Sequence, residues 1–206
     1  VSILERDNSL DFIEQFKDNK TTIVIGSSWP KDESLLINYI NQSSDDVKFI
    51  IAPHNIKSEQ IQELKNSISK KVILFSENVE TRNALSLQEY SVFIIDTIGI
   101  LTKIYSYADI AYVGGGFGNP GVHNILEPAT FGVPVVIGPN YSHFAEATAL
   151  VNMEGCISIQ NQTQLNEAFD LLLHNEDERL EKGHICSTFV QMNKGATQTI
   201  MNHILD

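Results

Sequence analysis

With 206 residues, 42% of them apolar and 19% charged, the chain is long enough for one α/β domain and has the composition of a folded globule. Its formal net charge of −12, with no clustered Lys/Arg stripe, argues against polyanionic partners: a nucleic-acid backbone would be repelled, and so would an anionic lipid surface. No run of about eighteen apolar residues is present to cross a bilayer. Its two cysteines, Cys156 and Cys186, make neither a disulfide framework nor zinc-ligand spacing and suit a reducing compartment.

In chain order, Leu10, Phe12, Ile13 and Phe16 fall on one face of a short helix, with Asn8 or Ser9 as its expected cap and Asp18-Asn19 as its end. Seven short apolar runs follow, at 22–26, 47–52, 71–75, 92–95, 110–113, 134–137 and 156–159. Most are rich in Val and Ile and apolar throughout, the pattern of strands buried on both faces. Helical stretches separate most of them, at 33–41, 58–68, 99–107, 124–131, 143–152 and 163–174, and two more are expected at 177–192 and 196–205. Strand and helix in alternation predict right-handed βαβ units and a parallel, doubly wound sheet. There is no repeat or internal linker. The sequence starts at Val1 with neither an initiator Met nor a leader, and is expected to be a piece of a longer protein.

Such sheets bind ligands at the carboxyl ends of their strands, so the loops after the apolar runs are where chemistry is expected. The loop from Gly114 to His123 is rich in glycine, which lets a ligand approach the main chain. The helix expected from Asn124 would offer its free N–H groups to a phosphate, and Glu127, one turn in, could accept from ribose hydroxyls. The loop follows the fifth run, unlike the dinucleotide G-x-G-x-x-G, which follows the first strand. A plainer alternative is a glycine-rich connection whose Glu127 complements the helix dipole. Asp96-Thr97-Ile98-Gly99 repeats the arrangement one unit earlier, with Asp96 or Thr97 as an ordinary N-cap for the alternative. Ser27 and Ser28 after the first run, His54 after Pro53, and His123 are candidates to meet an anionic ligand, or structural turn residues. Neither His123 nor His143 has metal-ligand spacing, so no metal is expected. No G-x-S-x-G elbow, Walker loop or H-E-x-x-H occurs, which leaves nucleotide binding.

The order Gly26-Ser27-Ser28-Trp29 with Asp32-Glu33, Ala52-Pro53-His54, Asp96-Thr97-Ile98-Gly99, Gly114-Gly115 through Gly121, His123-Asn124-Ile125-Leu126-Glu127, and Gly138-Pro139 with Phe144 resembles the C-terminal domain of the Kdo (3-deoxy-D-manno-octulosonate) transferases. The resemblance covers about residues 20–150, and the HNxLE segment is its most specific part. It implies a Rossmann-like parallel sheet with helices on both faces, one half of a GT-B glycosyltransferase. Residues 1–20 would then be a helix and linker from the acceptor domain, 21–192 the nucleotide-sugar-binding domain, and 193–206 a C-terminal helix. The apolar edge of that helix, Ile200, Ile204 and Leu205, would pack on the other domain or on this one.

For function, the resemblance implies CMP-Kdo as donor, a lipid A precursor as acceptor through the N-terminal domain, and an inverting, metal-independent, cofactor-free transfer at the cytoplasmic face of the inner membrane. The family's catalytic base is a glutamate in the N-terminal domain, so no catalytic residue is expected in this chain, and the chain alone is expected to be inactive. Pro53, His54, Ile98, Gly99, Ile100, Asn124, Ile125, Leu126 and Glu127 would line the CMP site, with Ser27 and Ser28 near the phosphate or sugar; Thr97, Gly115, Gly116 and His123 complete the expected site. Two positions depart from the family: many members have Arg-His where this chain has His54-Asn55, and Glu where it has Ile100. Ile100 would therefore reach a phosphate only through its N–H, and a bidentate arginine is lost. A UDP-sugar-binding domain of another GT-B enzyme and a noncatalytic nucleotide-binding module are the alternatives.

Overall fold

A computed structural model describes residues 3–80 and 86–194. The seven apolar runs form one parallel sheet: β1 (Thr21–Ser28), β2 (Val47–Pro53), β3 (Val72–Leu74), β4 (Val92–Ile94), β5 (Ile110–Val113), β6 (Val135–Ile137) and β7 (Cys156–Ser158). Their spatial order is β3-β4-β2-β1-β5-β6-β7. The helices are α1 (Asp11–Lys17), α2 (Pro30–Gln42), α3 (Ser58–Ser67), α4 (Phe75–Glu80), α5 (Leu101–Ile104), α6 (Leu126–Thr130), α7 (Ala145–Asn152), α8 (Gln162–His174) and α9 (Glu176–Met192).

Alternate strand residues feed two cores, which is why the runs are apolar at nearly every position. On one face Val24, Ile50, Phe93, Ala111 and Val135 pack with Ile13 and Phe16 of α1, Ile104 of α5, Ala129 of α6, Leu150 of α7 and Cys186 of α9. On the other, Ile23, Ile25, Phe49, Ile51, Ile94 and Val136 pack with Leu36 and Ile40 of α2, Ile61 and Leu64 of α3, and Leu165, Phe169 and Leu172 of α8. Lys48 breaks the run in β2. It is only 2% exposed, and its ammonium donates to the carbonyls of Gln88, at 2.7 Å, and Tyr90.

Several local expectations need correction. Neither Asn8 nor Ser9 caps α1; its N-cap is Leu10 without a side-chain bond, because Asp7 turns its carboxylate onto the Ser9 N–H. Asp18 does end that helix, in the left-handed region at φ 48°. The helix at 75–80 was not anticipated. Asp96 does not cap its own helix: its carboxylate accepts from the N–H of Ser76 at 2.9 Å and its hydroxyl at 2.6 Å, serving the start of α4. The N-cap of α5 is Ile100, without a side-chain bond, so Thr97 does not cap it either. The helices expected at 99–107 and 124–131 are short, α5 followed by a 3-10 turn at Tyr105–Tyr107, and α6 of five residues. The helix expected at 196–205 lies outside the described residues.

The chain runs from β1 outward to β2 and the β3–β4 edge, then crosses to the other side of β1 as β5. The carboxyl ends of β1 and β5 therefore flank the switch point at which open α/β sheets bind ligands.

Candidate functional site at the β1 and β5 ends

A bulge ends β1: the register with β2 shifts between Gly26 and Ser28, and Ser27 sits at φ 54°, unusual for a residue with a side chain. The bulge leads into Trp29, whose N–H is accepted by Asp32 at 2.9 Å, while Pro30 occupies the first turn of α2. Asp32 is fully buried. The same oxygen accepts the N–H of Gly115 at 2.9 Å, and the other oxygen accepts the Tyr112 hydroxyl at 2.8 Å. One carboxylate thus ties the loop after β1 to the strand and loop of β5. Burial first, then the charge and hydrogen bond of Asp32, hold the Tyr112 phenol far above the ordinary tyrosine range.

The glycines of the loop after β5 are filled against protein. A Cβ on Gly114 would lie 2.3 Å from the carbonyl oxygen of Ser27, and one on Gly116 would lie 2.7 Å from the backbone of Gly138. Gly115 and Gly116 are buried. The glycine requirement there is one of loop packing onto loop, where the sequence alone suggested ligand approach. Since backbone cannot yield cheaply, Gly114→Ala is expected to cost about 3 kcal/mol of stability in urea unfolding.

Over this platform three rings stack. Trp29 lies 4.3 Å from His54 between ring centroids, His54 lies 4.7 Å from His123, and the Trp29 indole N–H donates to His123 Nε2 at 2.9 Å. The His54 N–H is accepted by the carbonyl of Ser28 at 2.9 Å, and Ser28 pairs with Pro53 in the sheet. Ser27, Ser28, Pro53, His54 and His123 therefore form one cluster. Ser28 is buried, and its hydroxyl donates to Glu33 at 2.9 Å. Burial raises the Glu33 carboxyl above its ordinary value, the Ser28 bond opposing it.

Beside this cluster stand the starts of α5 and α6. The Thr102 hydroxyl donates to Glu127 at 2.7 Å, and the Asn124 amide donates to the other carboxylate oxygen at 3.2 Å. Gly99, at φ 94°, turns the chain into α5, leaving Ile98 81% exposed at the rim. Two helix starts therefore lie side by side with Glu127 between them. The α6 start has less to offer a phosphate than expected: Asn124 Oδ1 already accepts the Leu126 N–H at 3.0 Å, and Pro128 has no N–H. Ile125 is buried, so Glu127 is the amide left to this loop, whereas α5 contributes the N–H groups of its first turn, up to Lys103. With four- and five-residue helices, the amides rather than a macrodipole carry any such contact. The burial of Ile125 includes its main chain, and Leu126 lines a separate cavity with α7 and α9. Thr97 is half-buried at the turn before Gly99.

Trp29, Asp32 and Thr102 were missing from the expected site residues. The pattern Pro30 then Asp32, a proline in the first turn with a carboxylate three residues after Trp29, is the signal that could have marked the first two. A cavity of about 280 Å³ also opens between α2 and α3, where Ser28 and Pro53 meet Glu33 and Glu63. Its carboxylates make it a poor seat for an anionic ligand. No group of three or more His, Cys, Asp or Glu able to hold a metal occurs among the described residues, and no helix among them is long and apolar enough to cross a membrane.

Burial first, and then the neighbouring His54, lower the basicity of His123, Asp32 opposing them. Between its lowered value and the ordinary 6.5, the unfolded chain binds this proton and the folded chain does not, so this histidine's contribution to stability rises with pH across that window and is level above it. Trp29 is the sole tryptophan, and protonated imidazole quenches indole emission. Its fluorescence is expected to fall with acid, and His123→Gln to remove the component centred below 6.5, leaving only what His54, stacked on the indole, contributes.

The sheet has the fold of the C-terminal, Rossmann-like half of GT-B glycosyltransferases. The fold matches the crystal structure of the C-terminal CMP-Kdo binding domain of WaaA from Acinetobacter baumannii, with a TM-score of 0.72, 21% identity, and coverage of 89% of this chain and 100% of that one. It also matches the C-terminal domain of the group 1 glycosyl transferase LpcC from Francisella tularensis, with a TM-score of 0.60, 14% identity, and coverage of 95% and 99%. In sequence, the chain is 34% identical over 176 residues to the 3-deoxy-D-manno-octulosonic acid transferase of Chlamydia trachomatis serovar D, covering 82% of this chain and 39% of that protein. It is 32% identical over 127 residues to the transferase of that name from Aquifex aeolicus, covering 61% of this chain and 33% of that protein. No protein-family model matches. The chain is similar in sequence to the 3-deoxy-D-manno-octulosonic acid transferases and in fold to the C-terminal domain of WaaA, and it spans about two fifths of the length of the curated relatives it matches.

Proposed function

We propose that this chain is the donor-binding domain of a glycosyltransferase that moves Kdo from CMP-Kdo to a lipid A precursor in lipopolysaccharide biosynthesis, at the cytoplasmic face of the inner membrane. The observation that carries the reading is the Thr102–Glu127 hydrogen bond, which sets the Gly99 turn and the Asn124 segment against each other at the switch point. The likeness in sequence to Kdo transferases supports it independently.

In this reading the amides at Ile100 and Leu101 meet the CMP phosphate, with the Glu127 amide beside them. The Glu127 carboxylate accepts from the ribose hydroxyls, and Pro53, His54 and Ile98 enclose the nucleotide. Ser27 stands toward the sugar, and the remaining expected residues, Ser28, Thr97, Gly115, Gly116, Ile125 and Leu126, shape the loops. The transfer is inverting and metal-independent. The acceptor hydroxyl gives its proton to a glutamate of the N-terminal domain, its oxygen bonds the anomeric carbon, and the bond from that carbon to the CMP phosphate oxygen breaks. This domain holds the charge that appears on the departing phosphate, while the base must stand within reach of the acceptor. The chain alone is inactive, and no cofactor is used.

A second reading, a UDP-sugar site, is favoured by the likeness in fold to Anabaena HepE solved with UDP-glucose, at a TM-score of 0.63 and 14% identity. Calorimetric titration with CMP, UMP and UDP separates them. Saturable binding selective for CMP is expected; a preference for UDP supports the second reading, and no nucleotide binding refutes both.

A further inference from the structure

The bond between Trp29 and His123 fixes more than the position of a ring. An indole nitrogen is a donor only, so at 2.9 Å the His123 Nε2 must be the bare, accepting nitrogen. A neutral imidazole with a bare Nε2 carries its hydrogen on Nδ1.

The ring's orientation follows from its neighbours. A Cβ on Gly115 would lie 2.9 Å from His123 Cδ2 and 2.4 Å from the carbonyl oxygen of Gly121, so only glycine leaves room for the ring there. Cδ2 and Nε2 form one edge of an imidazole, and here that edge is against Gly115 and Trp29. Nδ1 belongs to the other side of the ring, and the bond from Trp29 is the one side-chain hydrogen bond that His123 makes among the described residues. Both neighbours that seat the ring are set by the same oxygen of Asp32, which accepts the Trp29 and Gly115 N–H groups at 2.9 Å each.

We propose that Trp29 is a positioning residue: its indole N–H locks His123 as the Nδ1–H tautomer, and His123 thereby presents a hydrogen-bond donor to an anionic oxygen of the bound nucleotide. The inference rests on the nucleotide reading above. With Nε2 occupied and Nδ1 protonated, His123 is unable to take a proton from an acceptor hydroxyl, so its role is to bond the oxygen on which charge accumulates as the phosphate departs. An N–H bond to such an oxygen strengthens as the charge grows. Burial and the neighbouring His54 keep the ring in the neutral form that this tautomer requires.

The test is long-range proton–nitrogen NMR of the chain labelled at histidine nitrogen, at a pH where His123 is neutral, with its signals assigned through the His123→Gln variant. The expected spectrum has His123 protonated at Nδ1 and bare at Nε2. Trp29→Phe keeps an aromatic ring in the stack but has no N–H; it should move His123 toward the Nε2–H tautomer and lower CMP affinity roughly tenfold, the scale of one charge-assisted hydrogen bond. An Nε2–H tautomer in the unaltered chain, a measurement that needs no variant to fold, overturns the proposal. So does a folded Trp29→Phe chain with the tautomer unchanged or with CMP affinity unchanged. An unaltered chain with the Nδ1–H tautomer that binds no CMP refutes the nucleotide reading and the donor role with it, and leaves the Trp29 lock established. The two failures are therefore distinguishable.

Discussion

Asp32→Ala is expected to destabilise the chain by on the order of 4 kcal/mol, because a buried donor left without an acceptor costs roughly 1–3 kcal/mol and this carboxylate serves three. The three are the Tyr112 hydroxyl and the N–H groups of Trp29 and Gly115. For a chain of this size the thermal midpoint should fall by roughly 10 °C. Asp32→Asn keeps one oxygen for the two N–H groups and turns its NH2 toward the Tyr112 hydroxyl, which can accept it but whose own O–H then lacks an acceptor, so it should lose about half as much. Differential scanning calorimetry of both variants checks the order. Since Trp29 and Gly115 lose the one oxygen they share, the Trp29 emission of any folded Asp32→Ala chain should also change; unaltered emission and stability would show that the carboxylate does not organise the two loops.

Glu127→Ala should leave stability nearly unchanged, since the side chain is half-buried and its partners Thr102 and Asn124 stand near solvent. CMP affinity should instead fall about 100-fold, the scale of two hydrogen bonds from ribose hydroxyls to one charged acceptor. Glu127→Gln, which accepts through a single neutral oxygen, should fall between. Isothermal titration with CMP measures both variants, and an affinity within about twofold of the unaltered chain for Glu127→Ala would remove the carboxylate from the site, since even one hydrogen bond to a charged group carries more.

The strands were legible because two cores bury both faces of the sheet, so that runs such as 22–26 and 110–113 announce themselves by composition. The helix Phe75–Glu80 was not, since FSENVE is too short and too polar to show a period, and its first turn is satisfied by Asp96, twenty residues away. Gly99 and Asn124 looked like helix starts, but positive φ at Gly99 and the side-chain bond of Asn124 push the first helical residues to Leu101 and Leu126. At the site, the loops could be ordered from sequence because strand ends carry them to one edge of the sheet. The contacts that knit them could not. Tyr112 and Gly115 reach Asp32 across 80 and 83 residues, and Trp29 reaches His123 across 94. Local spacing shows a capping pattern at Asp32 and nothing of the partners that bury it.

The most direct test of the donor site is a crystal structure of the chain with CMP. The phosphate should lie within hydrogen-bonding distance of the Ile100 and Leu101 amides, with both ribose hydroxyls on the Glu127 carboxylate and Nδ1 of His123 facing an anionic oxygen. CMP seated instead in the crevice between α2 and α3, with Glu127 still bonded only to Thr102 and Asn124, would contradict the account.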